Sequence, residues 1–164
     1  MALSPCPGCG GRFEDVDGPT HRYMESSPGC WAVYGEVLAR EYSDPAYGRV
    51  HRLSVDAYAV QHPGRPSPQS IQSVAVHLIR LCLILETGVD LHRANDVIKA
   101  AAESEENYRW LPPPSSLGAV TVADVRKAQD ADEHEKLVRS WAASAWMAWA
   151  PHHTTVSAWL PKKF

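Results

Sequence analysis

Cys6-Pro7-Gly8-Cys9 sets two thiols two residues apart near the start of the chain, and a third closes Ser27-Pro28-Gly29-Cys30. No other feature limits the fold as tightly. Two cysteines at this spacing can close on one metal ion, and glycine lets the backbone turn around it. A structural zinc site takes four ligands, and His21 lies between the second and third cysteines. The order Cys6-x2-Cys9-x11-His21-x8-Cys30 therefore reads as a Cys3His zinc knuckle. His152 or His153 is the alternative fourth ligand if the C-terminal helix packs on the knuckle. Zinc held this way contributes to folding directly, because thiolate ligation and chain closure are linked.

Most of the rest of the chain reads as helix, apart from the proline-rich stretch Trp110–Gly118. Ser27-Pro28, Asp44-Pro45 and Ser67-Pro68 each put a capping oxygen before a first-turn proline. They predict helices over 28–41, 45–61 and 68–87, with His62-Pro63-Gly64 breaking the second and Gly88 capping the third. The third carries Val74, Leu78, Leu81 and Leu85 on a broad apolar stripe, which makes it the central helix. A shorter helix over 90–104 follows. Thr121-Val-Ala-Asp124 reads as a capping box, and a last long helix starts near Asp130 or Asp132 and is interrupted at Pro151. The fold expected is mainly α: one domain of 164 residues, with a zinc-knuckle loop region over 1–27, including a short hairpin around Gly10-Gly11, and a compact helical bundle over 28–164.

Several function classes are excluded. A net charge of −3 with scattered basic residues argues against nucleic acid, and Lys162-Lys163 is too short a run to count. The tryptophans of the last third alternate with alanine rather than with arginine or lysine, so they read as core. No uninterrupted run of eighteen apolar residues and no basic-then-apolar leader is present, so neither a membrane span nor a secretory signal is expected. Thiols at CxxC spacing then point to the reducing cytoplasm. Cys82, flanked by Leu81 and Leu83, reads as a buried apolar residue. No phosphate-binding glycine loop, G-x-S-x-G or H-E-x-x-H motif occurs.

The histidines are the remaining candidates for chemistry. His51, Tyr58 and His62 fall on one stripe of the second helix, while Asp56 points away to cap, pair or orient something. With His152 or His153 they would line a cleft in which His51 and His62 act as ligand or base, Tyr58 as proton donor and one C-terminal histidine as the remaining ligand. Such a cleft could hold a second divalent metal that activates water, or run acid–base chemistry without one. His77, on the flank of the apolar helix, reads first as a hydrogen-bonded core residue, and His92 and His134 as surface residues.

The segments Cys6-Pro-Gly-Cys9-Gly10, His21-Arg-Tyr-Met24, Ser27-Pro-Gly-Cys30-Trp31, Val55-Asp-Ala-Tyr-Ala-Val-Gln-His-Pro-Gly64 and His152-His153 together resemble a bacterial family catalogued as a domain of unknown function. The resemblance covers nearly the whole chain and implies that the cysteine-rich start and the histidine segments belong to one fold. A looser similarity of architecture is to the DinB-like helical bundles, where histidines on different helices share a divalent metal; this chain adds the knuckle and divides its histidines differently. The expectation is a cytoplasmic zinc-binding protein with a histidine-lined cleft acting on a small-molecule substrate. The alternative is a non-catalytic, zinc-stabilised interaction module.

Overall fold

A computed structural model describes residues 2–103 and 108–161. Ser104 and Lys162-Lys163 lie outside the described residues. The chain opens with a two-stranded antiparallel hairpin, β1 (Leu3–Pro5) and β2 (Arg12–Glu14), in which Ser4 stands opposite Phe13. The turn between them carries Cys6 and Cys9 and is closed by Cys6 N–H to Gly11 O at 2.8 Å and Gly10 N–H to Cys6 O at 3.0 Å. Helices follow: α1 (Pro28–Ser43), α2 (Pro45–Gly48), α3 (His51–Gln61), α4 (Pro68–Glu86), α5 (Leu91–Glu103), α6 (Val122–Val125), α7 (Ala131–Ala148), a 3-10 turn (Ala150–His152) and α8 (His153–Ala158). The mainly α expectation holds.

The capping chemistry read from the sequence sets the boundaries. Ser27 Oγ accepts from Cys30 N–H, Asp44 from Ala46 N–H and Ser67 Oγ from Ser70 N–H, each ahead of a proline that has no N–H to satisfy. Thr121 and Asp124 form the reciprocal box that opens α6, and Asp130 caps α7. One expected helix is two: 45–61 divides at Arg49-Val50. Gly48 is a weak helix former that ends the first turn there, and the chain re-aims before His51.

The core is shared by α3, α4 and α7, with α5 and α8 against α4, and with the hairpin and α6 against α1. Leu53, Leu78, Ile79 and Leu81 meet Trp141, Trp146 and Trp149, all buried. Each tryptophan removes roughly 200 Å² from water, worth at most about 5 kcal/mol against an extended chain. Their N–H groups have partners: Trp141 donates to Gln61, Trp149 to the Val60 carbonyl and Trp146 to Glu86. By length and composition α4 is apolar enough to cross a membrane, but more than half of it is buried inside the bundle. Its Arg80 is buried too, and donates to both oxygens of Asp56 on α3 at 2.9 and 2.8 Å and to Asn95 on α5.

Candidate metal centre

The hairpin turn, the first turn of α1 and the end of α3 converge on one buried point. Cys6 and Cys9 come from the turn, Cys30 from α1 and His62 from the C-terminal boundary of α3, and their donor atoms all lie within 4.8 Å of one another. His62 Nε2 is 3.5 Å from Cys6 Sγ and 3.4 Å from Cys30 Sγ, and Cys9 Sγ is 3.9 Å from Cys30 Sγ. A tetrahedral zinc ion with bonds of about 2.3 Å to sulfur and about 2.05 Å to nitrogen needs edges of about 3.8 Å between sulfurs and about 3.6 Å from sulfur to nitrogen. Those three separations match three edges of that tetrahedron, and the cysteines are unpaired. The group could hold a metal ion.

The surroundings prepare each donor. His62 Nδ1–H donates to the Tyr58 carbonyl at 2.7 Å, which leaves the lone pair on Nε2, the atom facing the thiols. Each sulfur has one hydrogen-bond partner outside the cluster: Cys6 accepts from Ser27 N–H, Cys9 accepts from Gly11 N–H, and Cys30 pairs with the Tyr58 hydroxyl, at 3.4 Å in each case. Tyr58 also stacks on His62 and, through its other face, on Tyr34. Gly8 must be glycine, because a Cβ there would lie 2.5 Å from both His62 Cδ2 and the Glu25 carbonyl.

Three thiols this close cannot all ionise unaided. Hydrogen bonds from Cys30 and then Cys9 hold the Cys6 thiol far below its ordinary value. Cys9 is lowered by its bond to Cys30, but the Cys6 sulfur and burial outweigh that and carry it up to about 12. Cys30 is pushed up strongly by Cys6, by Cys9 and by burial. One negative charge suits the site; a second and third need a cation beside them.

His21 is not at this centre. Its Nδ1 accepts from the backbone N–H groups of Tyr23 and Met24, both at 3.3 Å, and its ring packs edge-on against Tyr23 and Trp31. The short loop turns the imidazole onto its own backbone, and His62 stands where His21 was expected. The sequence carried a usable signal for this. Cys6-Pro7-Gly8-Cys9, Pro28-Gly29-Cys30 and His62-Pro63-Gly64 each join a donor to a Pro-Gly step.

The expected cleft of His51, Tyr58, His62, His152 and His153 does not assemble. Tyr58 and His62 belong to the thiol centre. His51 turns to α1, donating from Nδ1 to Glu41 at 2.9 Å. His152 Nε2–H donates to the Pro112 carbonyl and His153 Nε2–H to the Trp146 carbonyl, each at 2.8 Å, and His153 stacks on Trp146. A restart at Pro151 does present both histidines at a helix end, but each is occupied by a backbone oxygen.

His134 corrects a second expectation. It is fully buried rather than at the surface. Its Nε2–H donates to Glu41 at 2.7 Å while Nδ1 accepts from Arg40 at 2.8 Å, and Ser54 donates to the same Glu41 oxygen. Burial alone would raise the Glu41 pKa, but the bonds from His134, His51 and Ser54 lower it below its ordinary value. Asp56 does orient something, as expected: it accepts from His77 Nδ1–H at 2.7 Å and pairs with Arg80.

The class of protein is thus a helical bundle with a buried Cys3His group at its N-terminal edge. The chain belongs to the family of unknown function DUF5946, whose model matches residues 4–150, a span that includes all four donors. Neither a curated protein nor a solved structure matches it.

Proposed function

We propose that this chain is a zinc-stabilised interaction module of the cytoplasm, a single domain in which Cys6, Cys9, Cys30 and His62 hold a structural zinc ion. The observation that carries the reading is the closed donor set. Four protein ligands at tetrahedral spacing leave no position for substrate or activated water, which catalytic zinc requires. Soft thiolates with one imidazole favour zinc over magnesium or calcium, which take oxygen ligands. The ion would tie the hairpin, α1 and α3 at one point, and reduced thiols imply a reducing compartment. The dispersal of His51, His152 and His153 supports this reading over a metal-dependent enzyme with a second divalent site.

Metal analysis of purified protein tests it. One zinc per chain is expected, lost in His62→Ala and retained in His21→Ala. Retention in His62→Ala together with loss in His21→Ala would overturn the assignment, and two metals per chain would revive the second site.

A further inference from the structure

Two loops close in sequence to Cys30 and His62, 20–26 and 64–70, enclose a cavity of about 360 Å³. The volume is near the lower end of small-molecule sites, which run from about 300 to 1,000 Å³. Its two walls are joined at their base. Ser70 Oγ–H donates to the Tyr23 carbonyl at 3.4 Å. Gly64 has a left-handed φ of +71°, and a Cβ there would lie 2.1 Å from the same carbonyl oxygen, so the loops touch backbone to backbone. One wall runs into Ser27, whose N–H bonds Cys6 Sγ, and into Cys30; the other begins two residues after His62.

The chemistry of the lining is cationic and rich in donors. Arg22 and Arg65 line opposite loops, both exposed, and neither has an ion pair or hydrogen bond among the described residues. His21 also lines the cavity, and because its Nδ1 accepts two backbone N–H groups, its proton sits on Nε2 as a further donor. One carboxylate, Glu25, shares the wall. The first turn of α4 is already capped by Ser67, so the side chains and not the helix end would be the partners. Two guanidinium forks exceed what a single carboxylate can use, whereas a phosphate dianion offers three oxygens to bidentate donors.

We propose that this cavity binds a small phosphate monoester, its phosphate between Arg22 and Arg65 and a hydroxyl or ammonium group of the same ligand on Glu25. The proposal rests on the structural reading of the metal centre, because the centre holds both walls, and it gives the interaction module a ligand class.

Calorimetric titration of the zinc-loaded protein with inorganic phosphate, phosphoethanolamine, sulfate and chloride at low ionic strength tests it. Phosphoethanolamine should bind best, with sulfate and chloride weaker. Arg22→Gln and Arg65→Gln should each weaken it about tenfold or more while leaving zinc content and Tm unchanged. Glu25→Gln should remove the preference over inorganic phosphate. Equal binding of all four anions, or binding unchanged in both arginine variants, overturns the proposal. So does a chain with one zinc that binds neither phosphate probe up to about 10 mM; the metal centre then still stands. A zinc-free chain that binds phosphoethanolamine overturns the centre and leaves the cavity.

Discussion

The thiol centre and the Glu41 network are both buried, both built from groups on separate elements, and both anionic at heart. They differ in whether the protein completes them. Glu41 accepts from His51, His134 and Ser54, and Arg40 supplies the positive charge behind His134. Every member has a partner within the chain, so α1, α3 and α7 are bolted together by protein groups alone. The sulfurs of Cys6, Cys9 and Cys30 crowd one another instead, and the imidazole beside them offers a lone pair rather than a proton. A buried polar cluster that lacks only a cation could hold one; a cluster whose charges are matched within the chain is scaffold.

The largest effect expected from breaking this contrast is at the thiols. Cys30→Ser, or a strong zinc chelator on the unmodified protein, should cost more than about 5 kcal/mol in urea titration, since structural zinc contributes on the order of 10 kcal/mol in small sites. A curve unchanged by chelation would place the centre outside the folding reaction. Glu41→Gln comes next, at about 3 kcal/mol, because it leaves buried donors facing an amide. Its sign with pH is fixed. The folded pKa of Glu41 is lowered, so its contribution is present above the unfolded value near 4.5 and is lost as pH falls through the folded one. The gap between unmodified protein and Glu41→Gln should therefore be widest near neutral pH and close in acid; a gap that widens on acidification would contradict the network.

Smaller effects are expected at Trp149 and His21. Trp149→Phe leaves the Val60 carbonyl unpaired and a small void, for a loss of about 2 kcal/mol in thermal unfolding with zinc content unchanged. His21→Ala should cost less than about 1 kcal/mol, because its two backbone contacts are long and partly exposed.

Local chemistry was legible in the sequence and long-range pairing was not. The caps at Ser27, Asp44, Ser67 and Thr121 act within three residues, so residue types and order sufficed to place the helix starts. Three of the four candidate metal donors were legible for the same reason, since cysteine at CxxC spacing has few other uses. The fourth depended on how α3 meets the hairpin, a contact across fifty-six residues that no spacing rule encodes. His134 was misplaced because its charged sequence neighbours face solvent while its own side chain reaches Glu41, ninety-three residues away. The helix break at Gly48 was visible only as one weak helix former inside an otherwise continuous pattern.

X-ray absorption at the zinc edge reads the thiol centre ligand by ligand. Three sulfurs at about 2.3 Å and one imidazole nitrogen at about 2.0 Å are expected, unchanged in His21→Ala, with the bound-zinc signal itself lost in His62→Ala. A bound water oxygen, a second nitrogen in place of a sulfur, or an imidazole signal that survives His62→Ala would contradict this ligand set.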